Sequence, residues 1–252
     1  MALFTDGNPS TIEELRTYES SLLDVSRVEQ IDLDAKLALA TAEVGDQIET
    51  FLLRHSSQDP QSGERRRIGV STVVTTEPVK RWHAFETLSM VFSDAFGSQL
   101  NERYEAKRDQ YLLAAERAKR RTFEFGIGVV GVPIPRASAA ICFSVSGTGS
   151  AGTFFVSVSW VGEREGAASA PTTFETTADT DLSVIPGAAP SGVTGWNVYV
   201  GVTRATMARQ NTAVLNIGEA WVLTAGLLPG AAPSTGQSAD FWVMENRTSQ
   251  RG

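Results

Sequence analysis

Two histidines, one cysteine and 29 acidic side chains are the groups in this chain suited to acid–base, nucleophilic or metal chemistry. Their spacing argues against most of it. A structural zinc site needs four ligands at suitable separations, yet His55 and His83 stand far apart in sequence and Cys142 falls on the outward row of an expected strand. His83 lies within Arg81-Trp82-His83, inside an expected helix, where packing or hydrogen bonding is the simpler role. A Ser–His–Asp set cannot be dismissed by counting, but no Gly-x-Ser-x-Gly elbow occurs and the serines read as turn and strand-surface residues. Gly126, Gly128, Gly131 and Gly147, Gly149, Gly152 both spell the dinucleotide fingerprint. That motif needs a helix to follow, so that its N-terminus meets the pyrophosphate. The first string runs into Pro133 and Pro135, the second into an expected strand from Thr153 to Trp160. Both read as turns. The expectation is a protein without catalytic residues, cofactor or metal.

The elements around these residues divide the chain in two. Residues 1–126 hold 6 of 22 glycines and 3 of 10 prolines, with 16 of 22 basic and 21 of 29 acidic residues. Charge-rich, glycine-poor sequence reads as helix; the Gly-, Ser- and Thr-rich remainder reads as strands and turns. In the first half, Ser10 or Thr11 caps a helix with the stripe Ile12, Leu15, Tyr18, Leu22, Val25, and Glu13 completes a capping box with Ser10. Asp32 caps a second helix carrying Leu37, Ala40, Val44, Ile48, Phe51 and Leu52. Ile68 to Thr76 reads as extended. Pro78 suits the start of a third helix with Trp82, Phe85, Leu88 or Ser89, Phe92 and Phe96, and Gly97-Ser98 reads as a stop and restart or a kink. A fourth helix is expected from about Ser98 to Arg121, with Leu100, Tyr104, Tyr111, Ala114 and Ala118 on a thin apolar side.

The second half alternates with period two. One row is Ile141, Phe143, Val145, opposite Ala140, Cys142 and Ser144. A second, inward row is Phe154, Val156, Val158, Trp160, opposed by Phe155, Ser157 and Ser159. Trp196, Val198, Val200, then Ala213, Leu215, Ile217, then Trp221 with Leu223, and Phe241 with Val243, complete the set. Short strands separated by Gly/Pro turns argue for a small β-sandwich, without an inter-sheet disulfide because Cys142 is alone. The fold class expected is α+β: an N-terminal helical bundle over 1–122, an extended linker over 123–138, a sandwich over 139–246 and a tail over 247–252.

The linker is apolar, and Phe123, Phe125, Ile127 and Val130 would meet water unless another segment or chain covered them, so they are candidates for a subunit interface. Two basic runs remain. Arg65, Arg66 and Arg67 read equally as a DNA or partner contact and as a solvated loop. Lys119 to Arg121 reads as a helix C-terminus complementing the dipole. Net charge is −7, which argues against a dedicated DNA binder but not against a channel through which DNA slides. No secretory pattern opens the chain and no apolar run reaches the ~20 residues a membrane helix needs. Asn246-Arg247-Thr248 spells a glycosylation acceptor that means little without such a signal.

The stretch Thr76-Glu77-Pro78, Lys80-Arg81-Trp82-His83, Thr87-Leu88, Val91-Phe92, Ser93-Asp94-Ala95, Asn101-Glu102-Arg103-Tyr104 and Lys107 resembles the helical core of tailed-bacteriophage head-to-tail connector (adaptor, or head-completion) proteins. Ser159-Trp160-Val161, Ser169 to Pro171 and Gly195-Trp196-Asn197-Val198-Tyr199-Val200-Gly201 resemble immunoglobulin-like or fibronectin-like modules appended to phage structural proteins. The resemblance implies a ring, commonly of twelve copies, docked under the portal protein and joined to the next neck or tail protein. Double-stranded DNA passes through the bore, and the added domain decorates the outside. It places the chain at the head–tail junction of the virion after assembly in the host cytoplasm. Rival readings are another tail or baseplate component, or a carbohydrate-binding or adhesion module. The last would use outward aromatics, of which Tyr199 and Phe155 are the ones alternation supplies.

Overall fold

A computed structural model describes residues 1–55, 68–99 and 102–245. The chain is α+β, and among the described residues it forms five α-helices followed by an antiparallel multi-strand region. It divides into two compact units. One joins residues 7–131 with 239–252; the other joins residues 1–6 with 132–238.

The helical unit opens with α1 (Ile12–Tyr18) and α2 (Leu22–Val28). The single helix expected here is broken at Glu19, whose backbone is extended and whose side chain is buried. The capping box is formed by Thr11 with Glu14, one residue beyond the expected Ser10–Glu13 pair, because Ser10 is engaged elsewhere. Asp32 Oδ1 accepts from the Ala35 amide at 3.0 Å and starts α3 (Leu33–His55). The segment Val70–Thr72 is a 3-10 turn, after which Val73 bridges Val129 and the Val74 amide donates to the Gly128 carbonyl.

Helix α4 (Glu77–Gln99) runs through Gly97 without the expected stop. A Cβ at Gly97 would meet nothing within 4 Å, so this glycine is a helix residue with a modest propensity cost. Helix α5 (Glu102–Phe125) begins and ends later than expected. Gly126, at φ +96°, stops it, its amide donating to Thr122 O, as a glycine just past a helix end commonly does. Helices α1, α2, α3, α4 and α5 share a core containing Leu15, Leu22, Val25, Leu37, Leu88, Val91, Phe92 and Tyr111. The unit closes with β1 (Ile127–Val129) paired antiparallel to β10 (Phe241–Val243). Phe241 and Val243 therefore belong with the helices, not with the sandwich to which alternation assigned them.

The strand unit has two antiparallel sheets. One has the order β2 (Ile141–Ser146), β5 (Thr180–Ile185), β9 (Trp221–Val222). The other has the order β4 (Thr172–Thr176), β3 (Gly152–Val161), β6 (Gly195–Gly201), β7 (Ala208–Arg209), with β8 (Leu215–Asn216) also paired to β6. Val156, Val158, Trp160, Trp196, Val198 and Val200 from the second sheet meet Leu182 and Val184 from the first in one apolar cluster. The row of β2 is reversed from expectation: Ile141 and Phe143 are exposed, while Ala140 is buried and Cys142 packs on the core. Burial accordingly pushes the Cys142 thiol up to about 11. The N-terminal hexapeptide belongs here. Leu3 and Phe4 are buried, and Asp6 accepts from the Arg136 amide at 2.7 Å.

Candidate functional site

Among the described residues, the histidine and the carboxylate most removed from water sit in the helical unit. His83, on α4, is fully buried. Its Nε2 lies 3.1 Å from the Leu37 carbonyl, which can only accept, so Nε2 carries the proton. Nδ1 then accepts from Ser10 Oγ at 2.7 Å. Thr41 Oγ1, 2.9 Å from Nε2, passes its own proton to Asn8 or to the Leu37 carbonyl. Burial pushes the imidazole down to about 4, against the pull of the Leu37 carbonyl. The Ser–His pair has the geometry of a nucleophile and base, but Ser10 is buried and, among the described residues, no carboxylate is hydrogen-bonded to the ring. Its effect is to join the segment before α1 to α3 and α4, the hydrogen-bonding role expected from sequence.

Glu19 fills the break between α1 and α2. Burial acts to raise its pKa, but Lys107 Nζ at 2.6 Å, Ser21 Oγ at 2.7 Å and Tyr111 Oη at 2.9 Å all donate to it. The net result is a carboxyl held down at about 2. Burial, and then the adjacent Glu19 carboxylate, push the Tyr111 hydroxyl up. Sequence alone did not reveal this site, since an isolated glutamate beside serines reads as surface. A period break at Glu19 was the available signal.

A second polar layer lies on the far side of the β3–β6 sheet. Tyr199 Oη, Ser159 Oγ and Asn197 Nδ2, the last at 2.8 Å, all donate to the Glu165 carboxylate. Asn211 Nδ2 donates to Asn197 Oδ1 at 2.8 Å, and Asn211 Oδ1 accepts from the Val198 amide. Tyr199 is therefore buried, not an outward aromatic. Burial first, and the Glu165 bond second, push its hydroxyl up to about 12. Phe155 remains half-buried, with the Arg204 guanidinium 5.9 Å from its ring centre.

One cleft of about 490 Å³ opens at an end of the strand unit. The 148–153 segment, Thr180, Asp181 and residues 223–227 line it. Gly149 is required here because a Cβ would stand 2.3 Å from the Thr180 carbonyl. Neither fingerprint-like glycine string opens a helix: Gly126 ends α5, Gly128 lies within β1 and Gly152 starts β3, so the expected turn is found at Gly147 and Gly149, which exchange backbone bonds with Asp179.

The candidate interface residues separate. Ile127 and Val130 are buried, and Phe123 stacks on Phe51 with ring centres 4.4 Å apart. The partner expected for this segment is thus largely the chain itself, through α3, β10 and the backbone of Thr72 to Val74. Phe125 alone stays open, 66% exposed. Arg65, Arg66 and Arg67, like Asn246, Arg247 and Thr248, lie outside the described residues. Lys119 pairs with Glu116, whereas Arg120 and Arg121 are exposed. Because α5 extends to Phe125, these arginines sit a turn inside the helix and not at its end.

The outer faces of α3 and α5 carry exposed apolar side chains: Leu39 and Leu53 on α3, Leu112, Leu113 and Phe125 on α5. Among the described residues no group of three or more His, Cys, Asp or Glu is arranged to hold a metal ion, and no helix is long and apolar enough to cross a membrane. Compared with known proteins, the chain matches no family, no curated protein and no solved structure.

Proposed function

We propose that this chain is a non-enzymatic virion protein that assembles into a ring at the head-to-tail junction of a tailed bacteriophage. The ring, of about twelve copies by the family resemblance, would join the portal protein to the next neck or tail protein and let DNA pass through its bore. The observation that carries the reading is the α4–α5 pair. The residues that resemble connectors are the ones that build it: Trp82, His83, Thr87, Leu88, Val91, Phe92 and Ala95 are buried along α4. Tyr104 and Lys107 tie α5 to Glu29 and Glu19. The pair leaves Leu112, Leu113 and Phe125 of α5 exposed, which suits a contact between copies better than a solitary protein.

The strand unit, with two sheets around Trp160 and Trp196, is consistent with an immunoglobulin-like sandwich decorating the outside of that ring. A net charge of −7 suits a passage that DNA slides through and does not grip.

The test is mass by light scattering or native mass spectrometry, for the protein alone and mixed with its portal. A closed ring, or a stoichiometric complex formed on the portal, is the expected result. A monomer indifferent to the portal would sink the reading. In the same assay Phe125→Asp should weaken assembly while both units stay folded.

The cleft favours a second reading, in which the strand unit binds sugar. Hydroxyls of Thr148, Ser150, Thr153 and Thr180, the Asp181 carboxylate and the Phe154 ring all border it, a mixture suited to a polyol with an apolar face. Binding on a glycan array, lost in Asp181→Ala, would support it; a blank array would remove it.

A further inference from the structure

The outward faces of α3 and α5 carry one pattern in opposite sign. On α3, Leu39 is followed by Glu43, Asp46 and Leu53, which lie four, seven and fourteen residues on. On α5, Leu113 is followed by Arg117, Arg120 and Phe125, at four, seven and twelve residues. At 3.6 residues per turn Leu39, Glu43, Asp46 and Leu53 share one stripe of α3, and Leu113, Arg117 and Arg120 share one stripe of α5, whereas Phe125 lies about a third of a turn round from it. All eight side chains are exposed, and each helix buries its opposite side, Val44 and Ile48 on α3 and Tyr111 and Ala115 on α5. At the rise of an α-helix the stripes are about 21 and 11 Å long.

The charges on them are uncommitted within the chain. Among the described residues neither Glu43 nor Asp46, and neither Arg117 nor Arg120, has an ion-pair partner within 4.0 Å. Glu43 accepts only from its neighbour Gln47. Both helices pack on α4, and Phe51 of α3 stacks on Phe123 of α5 on the side away from the stripes' exposed residues.

We propose that the α3 stripe of one copy docks on the α5 stripe of a second copy. Leu39 would meet Leu113, and the carboxylates of Glu43 and Asp46 would meet the guanidiniums of Arg117 and Arg120 beside them. The shared pattern is apolar, charge, charge at intervals of four and three residues on both helices, which a parallel alignment satisfies. The partner is a second copy because the complementary stripe, matched in sign and interval, is on this chain. Two different surfaces meeting head to tail make a heterologous contact, which repeats until it closes. The inference rests on the connector reading only in supposing that the chain self-associates, and it names the surfaces that do so.

The experiment uses full-length chains carrying charge reversals, with native mass spectrometry and sedimentation across a concentration series. One variant has Glu43→Arg with Asp46→Arg; the other has Arg117→Glu with Arg120→Glu. Each alone places like charges across the contact and should self-associate at least about tenfold more weakly. Mixed one to one, the reversed stripe of each variant faces a matching stripe on the other, and association should return. Raised salt should weaken the wild type.

Circular dichroism checks folding. The milder pair Asp46→Asn and Arg120→Gln gives the same readout if a double reversal misfolds. Wild-type association in both variants, a folded mixture that fails to recover, or a wild type that stays monomeric throughout would each overturn the proposal. The connector reading fails separately: α3–α5 association that obeys the charge rules in a protein that ignores the portal would remove the connector and keep the interface.

Discussion

A neutral imidazole held between a serine hydroxyl and a main-chain carbonyl makes the helical unit sensitive to acid. His83 is pushed down to about 4 in the fold, against about 6.5 when unfolded. Between those values the unfolded chain binds the extra proton, so stability rises with pH. His83's share is fully present above pH 6.5 and is lost as pH falls towards 4, at most about 3 kcal/mol by the size of the shift. Glu19, held at about 2, keeps its share above about pH 4.5 and loses it as pH falls through 2, so the two windows scarcely overlap. In His83→Gln the pH slope of the urea midpoint between 6.5 and 4.5 should largely vanish; an unchanged slope would put the acid sensitivity elsewhere. The role of His83 was legible because the residue sits among apolar neighbours on a helical stripe. Glu19 was not, because its cationic partner Lys107 lies 88 residues away. Tyr199 was misplaced for a related reason. Period two correctly gave its face of the strand, but could not show that Glu165 and its loop cover that face.

Helices and strands were legible wherever one side chain pattern decided burial, and failed where a second contact overrode the period. The interior rows of β3 and β6 are as alternation gives them, since Val156, Val158, Trp160, Trp196, Val198 and Val200 are all buried. The row of β2 is inverted. Its large residues Ile141 and Phe143 face out, and size alone had decided the assignment. The end of α5 was placed a turn early because Lys119 to Arg121 resemble a terminal cation cluster, whereas the stop signal is Gly126. That glycine has φ +96°, and a Cβ on it would stand 2.7 Å from Met244 Cγ and 2.9 Å from the Val243 carbonyl. Gly126→Ala therefore strains the backbone and presses on β10 together. A loss of roughly 1–3 kcal/mol is expected, read as a lowered denaturation midpoint. Gly97→Ala, where a Cβ has open space, should instead hold or raise it by up to about 1 kcal/mol. Equal behaviour of the two variants would contradict this account of where α5 ends.

At the scale of the molecule the chain moves between its two units three times: after residue 6, after residue 131 and after residue 238. Composition showed a single change near Gly126, because composition senses helix against strand and not which strand returns to which unit. The division expected at 122, 138 and 246 therefore cuts two attachments. The segment from Ala239 onward supplies β10 to the helical unit, where Val243 is buried against β1 and the Asp240 carboxylate accepts from the Gly131 amide at 2.7 Å. Ile127 and Val129 are themselves almost fully buried, and β1 has no partner of its own length other than β10. A two-stranded ribbon stripped of one strand leaves backbone donors and acceptors facing water and apolar side chains uncovered. Deleting residues 239–252 should therefore destabilise the helical unit, although the deletion removes no helix. Hydrogen exchange would show it as faster exchange at Ile127 to Val129, with the amides of β3 and β6 keeping their protection. Unchanged protection at β1 would mean that the backbone of Thr72 to Val74 holds it alone, and uniform loss across both units would mean that they unfold as one.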